Sequence, residues 1–163
     1  MKVLVFHIGP DRYGLPLASI TRVLPAATLK QVPLAPDFVA GLLDLHGEPV
    51  PVIDLSRLAG LPRAEVWYDT RIILADYRLP GGSAPIALLA EHVTGVETLD
   101  PLTLREPGVG SAPFLGQVAA GANSGGGNAG TDKAGTTMLQ LVELDQLLPP
   151  EVRALLFQPK AAP

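Results

Sequence analysis

The stretch from Phe38 to Leu58 constrains this chain most. Apolar runs at Leu42 to Leu45 and Val50 to Leu55 flank His46-Gly47-Glu48, a pattern that predicts two buried strands joined by a short glycine turn. Pro49 and Pro51 donate no ladder hydrogen bond, so the second strand is expected where one side of its backbone is unpaired. Asp54 precedes Leu55-Ser56-Arg57-Leu58, which predicts one helical turn with Asp54 near its N-terminus. Gly60 is expected to end that turn.

The 163 residues suit one ordinary domain, or two small subdomains sharing a core. Seventeen glycines and 17 prolines are too many for a helical bundle and fit many short strands joined by turns, so the expected class is all-β with short helices. A formal charge of -4, with the 12 basic residues scattered singly, argues against a nucleic-acid groove. The absence of cysteine excludes disulfides, thiolate nucleophiles and Cys-ligated zinc. Asp11 and Arg12 interrupt the first apolar run before a signal-peptide core forms, and no run reaches the roughly 18 apolar residues of a membrane span. The expected location is the cytoplasm.

Taken in order, Val3 to Ile8 and Tyr13 to Leu17 read as a hairpin about Gly9-Pro10-Asp11-Arg12. Ile20, Val23 and Leu24 stand at i, i+3 and i+4, the apolar stripe of a short helix stopped by Pro25. Thr28 to Val32 is expected to be a strand. Leu61 to Asp69 reads as a linker whose Trp67 and Tyr68 plug the seam between two halves, with an exposed aromatic contact as the alternative. Arg71 to Tyr77 and Pro85 to Ala90 form a second hairpin, and His92 falls in a predicted helical turn. Pro150, Glu151, Val152, Leu155 and Leu156 make a short terminal helix.

An internal repeat runs through this order. Leu17-Ala18 and Ile20-Thr21-Arg22-Val23 return as Leu89-Ala90 and Val93-Thr94-Gly95-Val96. Val52-Ile53-Asp54-Leu55 returns as Leu141-Val142-Glu143-Leu144. The spacing is 73 residues at Ile20 and Val93 but 89 at Val52 and Leu141, so the second copy holds an insertion of 16. Ala119 to Thr137 is almost wholly Gly, Ala, Ser, Thr and Asn, and is expected to be a flexible insertion. The expected organisation is a single domain over 1–163, with one β unit over 2–60, another over 70–148 and a terminal helix over 149–158.

Nothing in the chain signals catalysis. His7, His46 and His92 lack partners at metal-ligand spacing, no Ser sits in a G-x-S-x-G elbow, and Lys133 lacks the following Ser or Thr of a phosphate loop. No catalytic residue, metal or cofactor is assigned. The alternative to a binding module is a small-molecule or enzyme-accessory barrel with a pocket between its halves.

Phe38-Val39, Gly41, Leu45, Gly47 and Val50-Pro51-Val52-Ile53-Asp54-Leu55 together resemble the signature of CheW, the adaptor family of bacterial chemosensory arrays. The ending from Leu148-Pro149 to Phe157 also resembles the couplers of Wsp-type surface-sensing systems. The resemblance implies two intertwined five-stranded SH3-like barrels and no catalysis. It implies binding to a chemoreceptor's cytoplasmic tip in the groove between barrels, and to a CheA-type histidine kinase through barrel ends, beside other CheW-like adaptors in an array.

Val39, Leu42, Leu43, Asp44, His46 and Gly47 are the receptor-binding residues that the resemblance carries over, and Leu29 and Val32 the kinase-binding ones. At the turn the family usually reads Asn-Leu-Arg-Gly, where this chain has Asp44-Leu45-His46-Gly47. Histidine lacks arginine's bidentate fork. Its presence is either a change of partner specificity or neutral drift.

Overall fold

The computed structural model describes residues 1–110, 112–119 and 138–158. Among the described residues ten strands carry the fold: β1 (Lys2–Ile8), β2 (Asp11–Pro16), β3 (Ile20–Pro25), β4 (Val39–Leu45), β5 (Glu48–Asp54), β6 (Arg71–Leu79), β7 (Gly82–Thr98), β8 (Leu104–Arg105), β9 (Leu115–Ala119) and β10 (Leu139–Val142). Two α-helices join them, α1 (Leu55–Leu58) and α2 (Pro150–Leu156), with short 3-10 turns at Leu17–Ser19, Pro101–Thr103 and Leu144–Gln146.

The strands divide into two sheets that exchange elements. One holds β1, β2, β8, β9, β10 and the second half of β7; the other holds β3, β4, β5, β6 and the first half of β7. The 17-residue β7 therefore serves both, pairing with β6 up to Ala90 and with β1 from Glu91 to Thr98. Each sheet contains one parallel pair, β5 on β7 and β10 on β2. The units expected over 2–60 and 70–148 consequently do not coincide with the sheets, because β1 and β2 belong with the C-terminal strands.

Packing explains the continuous apolar runs. Val3 and Val5 of β1 enter one barrel interior with Leu99, Ala119, Leu139 and Leu141, whereas Leu4, Phe6 and Ile8 point into a central layer. In β6, Ile72 and Leu74 enter the other interior with Leu43, Val50 and Val52, while Ile73, Ala75 and Tyr77 join that central layer. Strands buried on both faces lose the apolar-polar alternation of a half-exposed sheet. The helix α2 covers the central layer with Val152, and Phe157 stacks on Tyr77 with ring centroids 5.6 Å apart. The Tyr77 hydroxyl accepts the Leu148 N–H at 3.3 Å, so the terminal helix is tied to β6.

Four sequence-based expectations are corrected here. Ile20 to Leu24 is strand β3, antiparallel to β6, preceded by a 3-10 turn instead of forming a helix. Thr28 to Val32 contributes only the isolated bridge of Lys30 to Leu42. His92 lies inside β7 at φ 48°, where the β1–β7 register shifts, and not in a helical turn. Ala119, the first residue of the expected insertion, is a buried member of β9; the rest of that insertion lies outside the described residues.

Candidate functional site

The β4–β5 hairpin turns through two residues. Leu45 pairs with Glu48, and His46 and Gly47 between them have φ of 51° and 87°. Two positive φ values define the tight turn whose twist matches that of a hairpin, a conformation open to glycine and tolerated by histidine better than by branched residues. Asp44 Oδ1 accepts the Gly47 N–H at 2.7 Å and locks the loop. His46 is exposed at the tip.

The two prolines of β5 sit where their missing donors cost nothing. Leu42 faces Pro51, yet both backbone groups of Leu42 bond in the opposite direction, to Lys30, at 2.8 and 2.9 Å. Pro49 and Pro51 precede Val52, where pairing with β7 begins, so the expected one-sided pairing holds for the proline-bearing half of β5. Gly41 brings Lys30 this close. A Cβ there would lie 2.6 Å from the Lys30 carbonyl oxygen and 3.0 Å from Leu29 Cβ, and its φ is 152°.

Asp54 closes the other end of β5. It is 4% exposed, accepts the N–H groups of Ser56 at 3.0 Å and Arg57 at 3.3 Å through Oδ1, and that of Ala64 at 3.0 Å through Oδ2. The carboxylate thus caps α1 as expected and also fastens the linker that follows. Its repeat partner Glu143 precedes a 3-10 turn without a side-chain cap.

The structure brings most of the expected binding residues together. Leu29, Leu42, Leu43, Asp44 and Gly47 line one open groove of about 560 Å³ with Thr28, Lys30 and Pro49. Leu43 is 6% exposed and supports it from beneath. A smaller recess of about 230 Å³ holds Leu29, Val39, Asp54 and Val66 among its walls, so Leu29 borders both. Val32 is half-buried outside both, in a turn where its carbonyl accepts the Ala35 N–H at 3.3 Å. Thr28, Lys30 and Pro49 were missed because a solitary bridge leaves no periodic signal in the sequence.

A third groove, of about 410 Å³, runs between the sheets, walled by Ser19, Ile20, Asp76, Arg78, Glu143 and Asp145. It is an open channel and not an enclosed cavity. None of the residues carried over from the family signature lines it. Among the described residues no group of acids and histidines has metal-binding geometry, and no helix is long and apolar enough to cross a membrane.

Two sheets that share β7 carry the open grooves of a binding scaffold. A CheW-like domain model matches residues 2–150, and the chain belongs to that family. FrzA of Myxococcus xanthus is 29% identical over 122 residues, covering 72% of this chain and 74% of that protein. The chemotaxis protein CheW of Rhizobium meliloti is 24% identical over 152 residues, covering 93% and 90%. The scaffolding protein TtCheW from Thermoanaerobacter tengcongensis superposes with a TM-score of 0.74 at 23% identity, over 93% of this chain and 89% of that one. The chain is a non-enzymatic chemosensory adaptor, of a family that couples chemoreceptors to CheA kinase.

Proposed function

We propose that this adaptor acts in the cytoplasm through two separate surfaces. The β4–β5 groove takes the regulatory domain of a CheA-type kinase, and the channel between the sheets takes the helical tip of a chemoreceptor. The observation that carries the division is the shared groove of Leu29 with Leu42, Asp44 and Gly47. One partner seated there touches both sets of residues that the family resemblance had divided between kinase and receptor.

That groove belongs to a single sheet whose outermost strand is β4, which fits a contact through a barrel end. The channel runs between the two sheets, which fits a receptor site between barrels. Val39, Leu42 and Leu29 supply apolar contact, and Asp44 and His46 the polar rim. Leu43 acts from below by holding the hairpin.

Titration of the folded chain, and of its Leu42→Glu and Asp76→Lys variants, against the isolated kinase regulatory domain and the receptor tip tests the division. Leu42→Glu is expected to weaken kinase binding alone, and Asp76→Lys receptor binding alone. Loss of receptor binding in Leu42→Glu with kinase binding intact would reverse the assignment.

A further inference from the structure

The linker between α1 and β6 ends in an aromatic ridge. Val66, Trp67 and Tyr68 are consecutive, and 73, 45 and 93% exposed. Trp67 lies over one face of the His92 ring, with centroids 5.7 Å apart and planes 24° from parallel, and both aromatic side chains are exposed.

Local bonds hold the ridge in one conformation. Thr70, 1% exposed, accepts the Trp67 N–H through Oγ1 at 2.8 Å and donates the same hydroxyl to the Glu65 carbonyl at 3.0 Å. Glu91 of β7 accepts the Glu65 N–H at 3.1 Å and the Trp67 indole N–H at 3.2 Å. Arg71 donates to the Tyr68 carbonyl at 2.6 Å. His92 Nδ1 lies 3.0 Å from Asp69, whose carbonyl accepts the Val93 N–H. A segment fixed at this many points presents its side chains with little left to order on binding, and Trp and Tyr are the side chains that most often anchor interfaces.

The ridge is continuous with the kinase surface proposed above. Val66 walls the same recess as Leu29 and Val39, and Asp54, which caps α1 beneath the hairpin, also holds Ala64 two residues before Val66. We infer that Val66, Trp67 and Tyr68 form the second wall of the kinase interface, so that the regulatory domain rests on the β4–β5 groove and the linker ridge together. The inference rests on the kinase reading of that groove.

Trp67 is the single tryptophan of the chain, which makes the test direct. The protein labelled with 5-fluorotryptophan is titrated separately with unlabelled kinase regulatory domain and with receptor tip, following the one fluorine resonance. Affinities are measured alongside for Val66→Ser and Tyr68→Ser, both exposed enough to leave the fold intact. A shift with the kinase domain, and roughly tenfold weaker binding in Tyr68→Ser, are the expected results. Full-affinity kinase binding by both variants with an unmoved resonance overturns the ridge and leaves the groove reading standing. A response to the receptor tip alone overturns the choice of partner, and no kinase binding by the folded protein removes the groove reading and the ridge with it.

Discussion

Asp44 reaches across the β4–β5 turn to the N–H of Gly47, 2.7 Å from Oδ1. The family's usual residue at this position, asparagine, carries an acceptor oxygen in the same place, so the departure to aspartate preserves the turn. Asp44→Asn is expected to match the parent in urea midpoint, and Asp44→Ala to lose about 1 kcal/mol. An asparagine variant as unstable as the alanine one would show that the charge, and not the turn bond, matters.

His46 has no structural duty of that kind. It stands exposed at positive φ beside the groove, so His46→Arg leaves the hairpin in place while giving its rim a planar, permanently charged donor. The expected outcome is altered partner affinity with unchanged stability. Equal affinities for every partner would make the histidine neutral drift.

Gly41 tests the contact between Leu29 and the hairpin. Its positive φ and the 2.6 Å approach of the Lys30 carbonyl leave no room for a Cβ, so Gly41→Ala is expected to cost more than about 2 kcal/mol. Gly81, with φ 83° and open space around it, isolates the dihedral cost, at about 1 kcal/mol. Equal losses at the two sites in thermal or urea unfolding would remove the argument for close approach.

Asp54 and Glu143 occupy equivalent repeat positions with unequal duties. Asp54→Ala strands three N–H donors near a buried position, at roughly 3 kcal/mol. Glu143 is exposed without a cap bond, so Glu143→Ala stays within about 0.5 kcal/mol. Comparable losses in urea unfolding would contradict the asymmetry.

Tyr13 is expected to weaken the fold at alkaline pH. Burial first, and the neighbouring Asp11 carboxylate second, raise its phenol above the ordinary value of 10.0. A raised acid binds its proton more tightly in the folded state. Its contribution is therefore complete below the unfolded value and is lost as pH rises through 10 toward the folded one. Tyr13→Phe is expected to flatten part of that decline in urea midpoints as pH rises above 10.0; a decline of unchanged steepness would exclude Tyr13 as its source.

The hairpin, the Asp54 cap and the doubly buried strands were legible because each rests on local chemistry: a glycine turn, an acid before a helical turn, a continuous apolar run. Strand β3 was not. Its register against β6 shifts between Ile20 and Arg22, which breaks the two-residue alternation and leaves Ile20, Val23 and Leu24 at helical spacing. His92 was misread for the same reason, since the β1–β7 pairing shifts beside it. The sheet exchange was hidden because β7 reads as two segments when it is one strand. At the site, the signature residues were legible, but the groove that seats Leu29 beside Leu42 arises from one backbone bridge and Gly41.

Coupling itself is tested most directly by combining the purified chain with the CheA-type kinase and the receptor tip encoded in the same genome, in each pair and then all three together. The account predicts that the chain binds each partner alone and that the ternary complex forms, with kinase activity changing when receptor is added only if the chain is present. A folded chain that binds neither partner, or a kinase that responds to receptor equally well without it, would contradict the account.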